Sequence, residues 1–222
     1  MNVFNIIGPI MIGPSSSHTA GAVRLGRVVN KLAEGGEFKE VDIELSGSFA
    51  RTYRGHGTDR ALLAGIMGYH SYNEEIRDAL QIAKERGIDY RFIENDIPGA
   101  HPNTARIHYT LDNGQSGVVE GASIGGGNIR VDVINGLRVD FTGESNTILV
   151  LHRDKPGMIA LVTQIMYDKY KDLNIGNFRL SRPEKGGIAL MTIEIDQMPP
   201  EELMDEINKL PNVENALLIR AI

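Results

Sequence analysis

The segment Gly13-Pro14-Ser15-Ser16-Ser17-His18-Thr19-Ala20-Gly21 sets three hydroxyls and an imidazole where a turn enters a helix. Hydroxyls, free backbone N–H groups and the positive end of a helix dipole all favour an anion at such a place. His18, with an ordinary pKa of about 6.5, can move a proton at neutral pH. The same residues suit a plainer role as well, a serine-capped helix start beside a satisfied histidine.

Two further clusters carry similar chemistry. His101-Pro102-Asn103-Thr104 follows Pro98-Gly99, so a stiff loop presents an imidazole and an amide together. Arg54-Gly55-His56-Gly57-Thr58-Asp59 places glycines on both sides of His56, which leaves the backbone accessible, and Thr58-Asp59 opens a helix. Taken singly, each of these histidines suits a structural role too. None of the six histidines falls into H-E-x-x-H or another compact metal pattern. Gly125 to Gly127 lacks the G-x-G-x-x-G context of a nucleotide loop and reads as a bend before a strand.

The elements that must position these groups follow from periodicity. A strand is expected at Val3–Ile7, then a helix from about Thr19 to Glu34 with Ala22, Leu25, Val29 and Leu32 as its core stripe. Arg24, Arg27 and Lys31 share another face of it and read as solvated. Val41 to Leu45 alternates as a half-buried strand, Gly47 to Gly57 reads as a glycine-bounded loop, and Thr58 to Tyr69 as a helix. Asn73 is the expected N-cap of a third helix, with Ile76, Leu80 and Ala83 inward and Gly87 beyond its end. Five strands follow, at Tyr90–Glu94, Ala105–Leu111, Gly117–Ser123, Ile129–Ile134 and Leu137–Phe141. Asp112-Asn113-Gly114 and Asn135-Gly136 supply hairpin turns between them. This first domain, residues 1–144, is therefore helices on a largely antiparallel sheet.

From Asn146 a second pattern begins: strand, helix, strand, strand, helix, strand, over residues 146–222. Met158, Leu161, Val162, Ile165 and Met166 recur with helical spacing, as do Leu203, Ile207 and Leu210. The order βαββαβ is the split, ferredoxin-like arrangement, so the whole chain reads as α+β. Between the first strand and first helix stands Asp154-Lys155-Pro156-Gly157, where Pro156 suits a helix start and Gly157 allows backbone N–H groups to approach a carboxylate.

Composition narrows the function classes. Against 23 Lys+Arg stand 29 Asp+Glu, a formal net charge of -6, the opposite of a nucleic-acid-binding footprint. No stretch is long and apolar enough for a membrane helix and no basic leader opens the chain, so a cytoplasmic location is expected. Zero cysteines exclude a thiolate nucleophile or thiolate metal ligation by this chain alone.

The C-terminal segment resembles the ACT domain, an amino-acid-binding regulatory module, through Asp154-Lys155-Pro156-Gly157 within its βαββαβ order. Together, GPSSSHTAG, GHGTD, HPNT and the appended module resemble the β chain of the two-chain bacterial iron-sulfur L-serine dehydratases, over the full chain. The resemblance implies conversion of L-serine to pyruvate and ammonia without pyridoxal phosphate, and a 4Fe-4S cluster ligated by the thiolates of a separate α chain. It implies proton transfer by His18 and His101, and substrate binding by Ser16, Ser17, Thr19 and Asn103, with His56 and Thr58 in support. It also implies an amino-acid effector at Asp154, Pro156 and Gly157, and a homodimer through the ACT domain. The first domain further resembles the allosteric substrate-binding domain of some 3-phosphoglycerate dehydrogenases, which implies the alternative of a non-catalytic amino-acid sensor.

Overall fold

The computed structural model describes residues 10–221, and the strand expected at Val3–Ile7 lies outside them. The chain divides into two compact units between Gly136 and Leu137.

In the first unit, a short π-helical turn at Ser16–Ala20 runs into α1 (Gly21–Leu32), whose stripe of Ala22, Leu25, Val29 and Leu32 is buried as the spacing requires. Strand β1 (Phe38–Leu45) follows, then α2 (Gly47–His56) and α3 (Thr58–Ile66). A 3₁₀ turn at Glu74–Asp78 leads into α4 (Ala79–Glu85). The remaining strands are β2 (Asp89–Glu94), β3 (Thr104–Leu111), β4 (Ser116–Gly125) and β5 (Asn128–Ile134). They hydrogen-bond in the order β2-β1-β3-β4-β5, with β2 parallel to β1 and every other pair antiparallel. Val41, Ile43 and Leu45 of β1 and Ile107 and Leu111 of β3 are buried, while the alternate residues Asp42, Glu44, Arg106 and His108 form ion pairs on the other side of the pleat.

Helices α1 and α3 pack at backbone contact. A Cβ on Gly26 would lie 2.3 Å from the Leu62 carbonyl oxygen, and one on Gly65 would lie 2.1 Å from that of Val23. Asn30 Nδ2 also donates to the Ile66 carbonyl, tying the two helices together at their far end.

Three local expectations differ from the structure. The segment Gly47–His56 is helical, because Phe49 and Tyr53, four residues apart, are both buried on one helical face. Asn73 stands at the N-cap position, but of a 3₁₀ turn rather than an α-helix, and its side chain makes no capping bond because Oδ1 accepts from the His70 N–H. Arg24 is not merely solvated: its guanidinium donates to the Gly127 carbonyl and to Asn128 Oδ1 across the glycine turn, where Gly125, Gly126 and Gly127 all have positive φ.

The second unit begins with β6 (Leu137–Phe141) and continues β7 (Asn146–Arg153), α5 (Met158–Lys169), β8 (Ile175–Ser181), β9 (Ile188–Ile195), α6 (Glu202–Asn208) and β10 (Val213–Ile219). The four strands from β7 onward order as β10-β7-β9-β8, all antiparallel, the register of a split βαβ fold. Ile148, Val150, Met191 and Ile193 of the sheet pack against Met158, Val162 and Met166 of α5 and Leu203 and Ile207 of α6. Strand β6 lies against β8 and β9, and the Arg179–Asp140 ion pair ties it to β8. Among the described residues, no helix is long and apolar enough to cross a membrane.

Candidate active site

Ser15 begins the site. Its backbone is extended, at φ −144° and ψ 126°, and its Oγ accepts from the His18 N–H at 3.4 Å, so it caps the turn that carries the histidine. The cap delivers His18 into the protein interior, where the residue is 9% exposed. Its Nδ1 stands 3.3 Å from Ser15 Oγ and its Nε2 3.5 Å from Ser48 Oγ, so a hydroxyl faces each ring nitrogen. The ring meets Phe49 edge-on at 5.3 Å and His56 at 4.7 Å between centroids.

The loop after β1 links this histidine to the second motif. Gly47 takes φ +58°, and a Cβ there would lie 2.7 Å from the Pro102 backbone, so the first turn of α2 presses directly on the His101–Thr104 loop. The N–H groups of Ser48 and Phe49 donate to the Pro102 carbonyl at 2.6 and 3.2 Å, and Ser46 N–H donates to Thr104 O. Helix α2 thus carries Ser48 towards His18 at one end while its N–H groups hold Pro102. At its other end it presents the exposed His56, just before the left-handed Gly57.

Within the 101–104 loop, His101 Nδ1 accepts from the Asn103 N–H at 3.1 Å, which leaves the proton of the neutral ring on Nε2. Asn103 Nδ2 donates to the Ser123 carbonyl and Asn103 O accepts from the Ser123 N–H, so β4 fixes the amide. Ser123 reaches back to the first motif, because its Oγ fills the space where a Cβ on Gly21 would fall, 2.1 Å away. Thr58, Thr104 and Ser123 are buried hydroxyls without a hydrogen-bond partner among the described residues.

The structure therefore brings His18, Ser16, Ser17, Thr19, His56, His101 and Asn103 into one connected region of the first unit. Ser16 and Ser17 are half-buried, Thr19 is buried with its N–H on Ser15 O, and Thr58 is buried at the start of α3. Three contributors lie outside the substrate and proton-transfer residues expected above: Ser15, which belongs to the first motif, and Ser48 and Ser123, which belong to none. Ser15 had a signal, an N-capping type one position before the helical turn. Ser48 and Ser123 had none, since only the tertiary packing of α2 and β4 places them.

Burial, and then the neighbouring His56, hold the His18 pKa below its usual value. At neutral pH the ring is uncharged and able to accept a proton. Below a pH of about 6.5 the unfolded chain takes up a proton that the folded chain resists. Stability therefore falls as pH drops from the unfolded pKa towards the lower folded one. His70 is shifted the same way, by burial and then by Arg27 and Lys31, and adds to the slope. The thermal midpoint is expected to fall between pH 7 and 5 and to fall less in His18→Gln. Scans at stepped pH on both proteins check this, and identical slopes would contradict it. Asp59 sits beside the site, buried, its carboxyl pushed up by desolvation while it accepts from the Arg60 N–H.

In the second unit, Asp154 Oδ2 accepts from Arg182 Nη1 at 2.7 Å and from the Gly186 N–H at 2.9 Å. These bonds, the backbone one first, hold its carboxyl below the usual range. Asp154 is thus a brace for the β8–β9 loop. Gly157, at φ +86°, is the N-cap position of α5, and with Pro156 it is exposed, so the helix start is open to a ligand.

The chain's residues do not fit a resident iron-sulfur ligand set. It has no cysteine, and among the described residues no group of three or more His, Cys, Asp or Glu side chains is placed to hold a metal ion.

Fold and site together define a protein that carries a histidine-bearing turn-to-helix site in its first unit and an ACT domain in its second, whose family model matches residues 146–212. The serine dehydratase beta chain model matches residues 2–133, and the chain belongs to that family. It is 45% identical over 212 residues to a probable L-serine dehydratase, beta chain, of Bacillus subtilis, covering 96% of this chain and 94% of that one. It is 36% identical to the L-serine dehydratase, beta chain, of Peptoniphilus asaccharolyticus, covering 93% of this chain and 92% of that one. A D-3-phosphoglycerate dehydrogenase of Bacillus subtilis is 28% identical over 82% of this chain and 34% of its own length.

Proposed function

We propose that this chain is the β subunit of a cytoplasmic L-serine dehydratase that converts L-serine to pyruvate and ammonia. Residues 1–144 serve the reaction and residues 146–222 sense an amino acid. A separate, cysteine-bearing α chain holds the 4Fe-4S cluster, and this chain alone is inactive. The observation that carries the reading is the chain of contacts by which α2 links a buried, uncharged His18 to His56 and to the 101–104 loop.

The reaction removes the Cα proton and the β-hydroxyl of serine, and water then hydrolyses the enamine and its imine tautomer to pyruvate and ammonia. His18, uncharged and with hydroxyls at both ring nitrogens, is suited to accept the Cα proton. His101 keeps its proton on Nε2 because Nδ1 accepts from Asn103 N–H, which suits it to donate towards the departing hydroxyl. Ser16, Ser17 and Thr19 at the turn, together with Asn103, bind the carboxylate and ammonium groups of the substrate, supported by His56 and Thr58. The test is pyruvate release from L-serine by the anaerobically mixed pair of chains, with a rate far above that of either chain alone.

For the ACT domain, we infer an amino-acid effector, with L-serine the first candidate, held at the Asp154–Gly157 turn, and a homodimer formed through this domain. A ligand that binds only the folded state adds about 2.7 kcal/mol at 100 times its Kd, so an amino acid should raise the thermal midpoint of the full chain. Gly157→Val is expected to abolish that shift, because a branched residue is strained at φ +86° and displaces the turn that presents the N–H groups. Scanning calorimetry with each amino acid in turn checks it, and an unchanged shift in the variant would contradict the assignment.

The likeness to a phosphoglycerate dehydrogenase favours one other reading, a non-catalytic amino-acid sensor. That reading expects effector binding by this chain and no pyruvate with any α chain.

A further inference from the structure

A cleft of about 410 Å³ runs from the serine turn, where Gly13, Pro14 and Thr19 line it, past His56 to Arg54, Arg60 and Arg77, with Gly55 and Gly57 leaving backbone exposed between them. No carboxylate lines it. None of the three guanidinium groups forms an ion pair among the described residues, and the first nine residues of the chain contain no Asp or Glu. The nearby Asp59 is buried, its carboxyl pushed up by desolvation against the opposing pull of Arg60 and Arg54, and it accepts from the Arg60 N–H. Arg54 is steadied over the Tyr53 ring, its guanidinium carbon 5.2 Å from the centroid.

Three permanent cations facing one space repel one another until an anion enters. L-Serine is a poor match for that field, since it carries one negative charge and an ammonium for which the cleft offers no acid. A guanidinium fork pairs with two oxygens of a carboxylate or phosphate at once. The geometry points to an anion subsite at the arginine end of this cleft, adjoining the proposed substrate turn with which it shares Thr19 and His56: Arg54, Arg60 and Arg77 bind a small dianion, a phosphate or a dicarboxylate, rather than the amino-acid substrate. Occupancy is felt at the proposed catalytic histidine, because His56 lines the cleft and its ring meets His18 at 4.7 Å. The three arginines carry the subsite, whichever reaction the neighbouring histidines serve.

The experiment is equilibrium dialysis of the purified full chain, without any partner, against inorganic phosphate and separately against succinate, at pH 7.5 and constant ionic strength set by sodium chloride. Saturable binding of about one anion per chain is expected, weakened about ten-fold or more in Arg60→Gln and in Arg77→Gln, and not displaced by L-serine. Both residues are exposed, so the variants keep the fold, which circular dichroism verifies. Phosphate binding alone assigns a phosphate-bearing ligand, and succinate binding alone a dicarboxylate. No saturable binding of either, binding unaltered in both variants, or displacement by L-serine overturns the proposal.

Discussion

His18→Ala is expected to lower the kcat of the assembled two-chain enzyme on L-serine by about 10²-fold or more, the scale of a lost general base. His101→Ala is expected to do the same. The effect should fall on kcat rather than KM, because proton transfer matters in the transition state while the hydroxyls and the Asn103 amide proposed to hold the substrate remain. Removing the His18 ring also leaves space beside Phe49, so His18→Gln is the cleaner variant: it keeps a polar group between Ser15 and Ser48 but cannot relay a proton. Steady-state kinetics beside thermal midpoints separate the roles. Near-normal kcat with a lowered midpoint in both His18 variants would make the histidine structural.

The largest effect on stability is expected at the crossing of α1 and α3. Gly65→Ala puts a methyl group 2.1 Å from the Val23 carbonyl oxygen and 3.0 Å from the Arg27 nitrogen, both backbone atoms that cannot swing aside as a side chain can. The helices must separate, and with them the burial of Val29 and Leu62, so the cost exceeds the usual overpacking penalty and reaches about 3 kcal/mol or more. For a unit of this size that lowers the midpoint by about 10 °C. Gly55→Ala is the matched control, since a Cβ there meets nothing within 4 Å and the residue lies inside α2. It is expected to be neutral or to stabilise by up to about 1 kcal/mol through the better helix propensity of alanine. Equal losses in the two variants would contradict the packing argument.

The fold was legible wherever one periodicity ruled. The α1 stripe, the strands β1 to β6 and the whole βαββαβ order follow from spacing and turn residues, because each of these elements buries one regular face. Helix α2 was not, since its glycines and polar residues pointed to a loop while the signal for a helix was only the pair Phe49 and Tyr53. What stabilises it is tertiary, the Pro102 carbonyl that takes up the Ser48 and Phe49 N–H groups. Asn73 shows the converse, a good capping residue spent on the turn at His70.

The site divides in the same way. The residue types and spacing of GPSSSHTAG, GHGTD and HPNT marked chemistry but gave no distances, and so could not say that α2 joins all three. They could not reveal Ser48 and Ser123 either, which lie outside every motif and are placed by a helix start and a β-strand. Nor could spacing distinguish the two histidines. Their environments do: burial for His18, and for His101 a backbone N–H on Nδ1 that fixes the tautomer.

The central claim, that this chain completes a serine dehydratase whose cluster lies elsewhere, is tested most directly by an anaerobic titration. The cysteine-bearing α chain is held constant, this chain is added, and pyruvate formed from L-serine is followed while iron is counted on each chain after separation. The expected result is a rate that rises to a plateau at one equivalent, with iron on the α chain and none on this one. A stoichiometric 4Fe-4S cluster on this chain alone, or a rate from the α chain that does not respond to it, would contradict the account.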